Sequence, residues 1–105
     1  VDNRKCESSA EIRKRVCAAR AIQRQRFKDL PFKSNAEMSS ECAKKFAGMS
    51  PEVERLAVSA ADRMNLSARG FYRMLKVSRT IADMREAPNV EVVDISEALR
   101  YRTIN

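Results

Sequence analysis

Apolar positions recur at helical spacing along much of the chain, and the clearest stripe lies between Leu66 and Glu86. Ala68, Phe71, Met74, Leu75, Val77, Ile81, Ala82 and Met84 fall on one broad face, at the steps of an amphipathic helix. Arg69, Arg73, Lys76, Thr80 and Asp83 share the opposite, wet face. Ser67 is the expected N-cap, since its hydroxyl can accept a free N–H of the first turn. Pro88 is the expected stop, because proline disfavours helical geometry in the residue before it. Arg79 borders the stripe, where it is expected to bridge helices through carbonyls or an acid. This helix is the element that the others should pack around.

The remaining pattern supplies its neighbours. Residues 1–8 are polar and expected to be loose, with Ser9 capping a helix that runs to about Asp29. Its inward line is thin: Ile12, Val16, Ala19, Gln23 and Leu30. Leu30 to Asn35 reads as a loop. Ser39 or Ser40 starts a short helix that Gly48 ends. Ser50-Pro51-Glu52 is a helix start, with a serine cap, proline at the first helical position and an acid in the first turn. That helix carries Val53, Leu56, Ala57, Ala60 and Met64 inward and ends near Asn65. Val90, Val92 and Val93 read as a short extended run. Asp94 and Glu97 have capping-box spacing, with Val93 stapled onto Ala98. The last helix packs Ile95, Ala98, Leu99 and Tyr101 inward and runs to about Arg102. The expected fold is all-α: a small bundle of four main helices plus a short fifth.

Composition agrees and narrows the partners. The 105 residues include only 2 Gly and 3 Pro, which suits one domain of long helices. Lys+Arg outnumber Asp+Glu by 21 to 14, a net charge of +7, which favours anionic partners. Arg13, Arg20, Arg24 and Lys28 lie on one side of the first helix, Arg15 and Arg26 on another. A solvated face explains them, and so would contact with DNA phosphates or an acidic subunit. No aromatic residue interleaves the arginines of that helix, which counts against stacking on them.

Catalytic chemistry is not supplied. There is no His, so the commonest general base is missing, and no activated Ser or Cys completes a set. No Gly-rich phosphate loop occurs. Cys6, Cys17 and Cys42 form no CxxC pair, which argues against a zinc site or disulfide framework. Reduced thiols in a cytoplasmic protein are expected, with Cys17 buried or half-buried. No apolar run is long enough for a membrane span, and the chain begins with Val, as a piece of a longer protein would. No catalytic residue and no metal ligand is expected.

Three blocks together resemble one family. Glu7-Ser-Ser-Ala-Glu-Ile-Arg-Lys-Arg-Val16 with Ala18-Ala-Arg20 and Gln23 forms the first block. Leu66-Ser-Ala-Arg69, Tyr72-Arg73 and Lys76-Val-Ser-Arg-Thr-Ile-Ala-Asp83 form the second, and Glu97-Ala-Leu-Arg-Tyr-Arg102 the third. In order and spacing they resemble the C-terminal domain of magnesium chelatase-related AAA+ ATPases of the ComM (YifB) type. The resemblance covers about Glu7 to Arg102 and is thinnest between Leu30 and Pro51.

The resemblance implies that residues 9–105 are the helical lid of a ring-forming, hexameric ATP-hydrolysing motor. Residues 1–8 would continue from an upstream ATPase core. The parent would use ATP and Mg2+, contact neighbouring subunits and work on DNA as a branch-migrating helicase in natural transformation and recombination. Chelatase relatives instead drive magnesium into a porphyrin. The family's sensor arginine, which meets the γ-phosphate at the start of a lid helix, matches Arg69. Arg73, one turn on, would support it or meet DNA. The fragment alone would neither hydrolyse ATP nor bind it tightly. Gly70 departs from the pattern, since glycine in a first turn costs up to about 1 kcal/mol relative to Ala. Two rivals stand beside this reading: a free-standing helical nucleic-acid-binding module, and an adaptor for an acidic protein.

Overall fold

A computed structural model describes residues 2–104, with side chains described for residues 9–100. Five helices follow one another: α1 (Asp2–Arg26), α2 (Ser40–Ala47), α3 (Pro51–Arg63), α4 (Ala68–Met84) and α5 (Val92–Ile104). A 3-10 turn, Asn35–Glu37, interrupts the loop after α1. The all-α bundle of four main helices and one short one is therefore present, and α4 packs against α1, α2, α5 and the 3-10 turn.

Local chemistry explains where the helices begin and end. The hydroxyls of Ser39, Ser50 and Ser67 accept the N–H groups of Cys42, Val53 and Gly70, at 3.2, 3.2 and 3.1 Å. Gly48 ends α2 in the left-handed region, φ 60°. Two helices end the same way without glycine. Asn65 and Glu86 have φ 55° and 58°. The N–H of Leu66 reaches back to Ala61 O at 3.0 Å, and that of Ala87 to Ala82 O at 2.8 Å. These are Schellman closures. Glu86, not Pro88, thus turns the chain out of α4.

Two apolar clusters meet along α4. One joins Met74, Leu75 and Ala82 to Ala47, Ala57, Val90, Ile95 and Ala98. The other joins Phe27, Met38 and Ala43, with Phe32, Phe46 and Tyr72 packed against them. Phe27 sits edge-on to both Phe32 and Phe46, at centroid distances of 6.1 and 5.8 Å, a favoured aromatic geometry.

Several expectations are corrected. α1 begins at Asp2 and runs through Ser9, since no proline or glycine interrupts the chain there. Ile12 and Leu30, expected inside, are exposed, as are Leu56, Met64, Ala68 and Val77. Apolar periodicity marks a face, but neighbours cover only its centre: on α3 the small Ala57 and Ala61 are buried instead. Val92 and Val93 are not extended; they open α5 and are exposed, so Val93 is no staple. Asp94 is not the cap of α5 but its third helical residue, and its carboxylate accepts the Glu91 N–H at 2.9 Å. Half of a box stands three residues earlier, with Asp94 reaching back to Glu91, while the Asp94 N–H bonds to the Glu91 carbonyl at 3.0 Å. Cys17 is exposed. Cys6, expected as a reduced thiol, and Tyr101, expected to pack inward, lie outside the described side chains.

The largest correction is Asp83, placed on the wet face by its spacing but fully buried. Partners supplied by distant segments make that possible.

Candidate functional site

The start of α4 presents the residue that the sequence singles out. Ser67 caps the helix and takes the Gly70 N–H, while the Phe71 N–H bonds to Ser67 O at 2.8 Å. The N–H groups of Ala68 and Arg69 are left free at a helix terminus that favours anions. Arg69 is exposed, and Arg73 is exposed one turn further along the same side. Neither pairs with an acid among the described residues. Asp94, a conceivable partner for Arg69, is taken by Arg85, which donates from Nε at 2.9 Å and Nη2 at 2.7 Å. That fork raises the affinity of Arg85 for its proton, chiefly through the hydrogen bond to Asp94. Gly70 is buried directly behind Arg69, so the arginine stands on a packed first turn.

What holds α4 is a buried polar cluster at its other end. Asp83 accepts from Arg26 Nη1 and Nη2 at 2.8 and 2.7 Å. It accepts from Asn35 Nδ2 at 2.9 Å and from Arg79 Nε at 3.1 Å. Arg79, only 1 % exposed, spends its other donors on carbonyls: Phe46 O and Pro88 O at 3.0 Å, and Ala87 O at 2.7 Å. It thus ties the end of α2 and the loop after α4 to one guanidinium, the bridging role expected of it. Burial pushes its pKa below the usual arginine value, and the Asp83 charge opposes that shift. Asn35 completes the cluster, accepting from Arg26 Nη1 at 2.9 Å and donating to Thr80 Oγ1 at 3.1 Å.

Arg13, Arg20, Arg24 and Lys28 are all exposed on α1. The fold adds a residue to part of this set: Lys33, from the following loop, lines one recess with Arg20 and Arg24, whereas Arg13 and Lys28 stand apart from it. Sequence reading missed Lys33, Asn35 and the role of Arg26. The available signals were Gln23, a polar residue breaking an inward line, and the Arg79–Asp83 pair at i,i+4 beside an apolar stripe. Among the described residues, no group of three or more His, Cys, Asp and Glu side chains could hold a metal. No helix among them is long and apolar enough to cross a membrane.

Residues 6–102 match the family described as magnesium chelatase, subunit ChlI C-terminal. The chain is 36% identical over 101 residues to the uncharacterised protein YifB of Salmonella typhimurium, covering 96% of this chain and 19% of that protein. It is 33% identical over 98 residues to the competence protein ComM of Haemophilus influenzae, covering 93% of this chain and 18% of that one. With YifB of Escherichia coli the identity is 34% over 99 residues, 94% of this chain and 19% of the relative. The chain thus spans less than a fifth of the length of these relatives. No solved structure gives a significant match.

Proposed function

The chain belongs to the magnesium chelatase subunit ChlI C-terminal family, and from that premise we propose that it is the helical lid of an AAA+ motor whose nucleotide Arg69 senses. The observation that carries the reading is Arg69 itself: exposed, without an acidic partner among the described residues, and set on the first turn of a capped helix. A forked guanidinium beside free backbone N–H groups suits a phosphate oxygen.

The parent would be a ring, with the ATP-binding core outside this chain and Mg2+ held by that core. Bound ATP would supply the γ-phosphate charge. Arg69 would bind and orient that charge, from its own subunit or across a boundary, and Arg73 would add to the positive field. Because Arg69 is fixed to α4, and α4 to α1 and α2 through Asp83 and Arg79, loss of the γ-phosphate would release the whole bundle as one body. The likeness to a competence protein supports DNA, rather than a porphyrin complex, as what the parent moves.

The test is ATP turnover by the full-length parent, wild type beside Arg69→Ala, with assembly followed by light scattering. The expected result is a loss of roughly a thousandfold or more with the assembly intact, the scale of arginine contacts to transferred phosphoryl groups. Unchanged turnover would overturn the assignment of Arg69, and hydrolysis by the 105-residue chain alone would overturn the lid reading.

A further inference from the structure

We propose that the groove between the C-terminal half of α1 and the loop of residues 30–37 binds a strand of single-stranded nucleic acid. Arg20 and Arg24 stand one turn apart on α1, and with Gln23, Lys33 and Ser34 they line a recess of about 240 Å³. Past Arg20, Gln23 and Ser34 it continues into a second recess of about 290 Å³ that reaches Thr80 and Met84. Past Arg24 and Lys33 it continues into a third, of about 470 Å³, walled by Phe27 and Phe32. The first recess shares residues with each of the other two, so the three lie side by side as one shallow channel along the surface. Among the described residues no acid lines any of them; behind the walls lie Asp83, already paired with Arg26 and Arg79, and Glu37, whose Oε2 accepts from Ser34 Oγ at 3.5 Å.

The three cations repel one another, and none has an acidic partner among the described residues. The walls nevertheless cannot splay. Gln23 Oε1 accepts the Asn35 N–H across the channel at 3.0 Å, and Asn35 is locked to Arg26, Thr80 and Asp83. Gln23 is only 8 % exposed. Its carbonyl is committed to the loop, and its amide NH2, unpartnered among the described residues, is left as a donor lining the recess. A row of cations carried on a fixed backbone, with a nearly buried donor among them, matches a chain of phosphodiesters better than a single ion.

The ring at the channel's end selects the form of that chain. Phe32 is half-buried and held edge-on by Phe27, leaving part of the ring open beside Arg24 and Lys33. An unpaired base can stack there; a duplex keeps its bases stacked on each other, and an acidic peptide brings no base. The inference goes beyond the lid reading and is independent of it, since this binding requires neither ATP nor Arg69.

Fluorescence anisotropy with a labelled oligothymidylate and the 105-residue chain tests it. Three phosphate contacts to a single strand give a slope of log K against log salt near −2, a loss of roughly twentyfold between ~50 and ~200 mM. Arg24→Gln and Lys33→Gln should each weaken binding and reduce the slope by about 0.7. Phe32→Leu should weaken it about five- to hundredfold with the slope unchanged. An abasic strand should lose the same factor on the wild-type chain, which separates stacking from any fault in the variant's fold. Arg63→Gln, on α3, should change nothing. A duplex bound as tightly as the strand, an abasic strand bound as tightly as oligothymidylate, or Arg24→Gln and Lys33→Gln without effect would each overturn the proposal.

Discussion

Replacing Asp83 by Asn removes one charge and almost no volume, so its cost isolates the electrostatics of the buried cluster. The carboxylate is 0 % exposed and answers two guanidiniums, Arg26 and Arg79, whose side chains are 12% and 2% exposed. Asn offers one acceptor oxygen where four close N–H donors now converge, and its own NH2 would point at cations. Breaking a buried pair by removing one partner costs about 3–5 kcal/mol, and here two cations lose their counter-charge, so the upper part of that range is expected. Total stability for a domain of this size is about 5–15 kcal/mol, so between a third and nearly all of it would go. Urea unfolding followed by far-ultraviolet circular dichroism reads the effect. With a slope of roughly 1–3 kcal/mol per molar urea, the midpoint should fall by at least about 1.5 M. Adding Arg26→Met to Asp83→Asn should cost less than the two single losses combined, because one stranded cation is removed. A loss below about 1 kcal/mol for Asp83→Asn would refute the reasoning and make the cluster a bystander to the packing around it.

Further outcomes are expected from the same assay. Gly48→Ala should cost about 1–3 kcal/mol, because the residue sits at φ +60° and a Cβ would meet Asn89 Oδ1 at 2.5 Å; Asn89→Ala in the same chain should recover part of it. Glu86→Gly should instead stabilise, by up to about 1 kcal/mol, since Glu86 holds φ 58° where glycine carries no steric penalty. Leu75→Ala, at a fully buried position, should cost about 2–5 kcal/mol. Ser67→Ala should cost about 1 kcal/mol, and hydrogen exchange should show the gain in opening concentrated in the first turn of α4, beneath Arg69.

Helices announce themselves in this sequence because their signals are local. Ser39, Ser50 and Ser67 each bond an N–H three residues on, an interaction that needs nothing beyond its own turn. The bundle's centre was equally legible, since the stripe through Met74, Leu75 and Ala82 is long enough to leave one orientation for α4. Asp83 was illegible for the opposite reason. Its burial depends on Arg26 and Asn35, 57 and 48 residues away, and no periodicity on α4 encodes them. The same holds for the channel beside α1. Arg20 and Arg24 can be read from the helix, but Lys33 joins them only because Asn35 fastens the loop. Ile12 and Leu56 show the converse failure: apolar spacing exceeded what neighbouring helices could cover.

The placement of the anchor on α1 has a mechanical consequence. Arg26 clamps the last turn of that helix to Asp83, while residues 9–15 are exposed throughout. A rigid rod of those residues up to Arg26 extends about 26 Å at the rise of an α-helix. Turning α1 and the bundle together by ~10° about the clamp would swing its far end through roughly 4–5 Å, so a small rotation of the whole body is amplified along a stiff crank without any helix having to unwind.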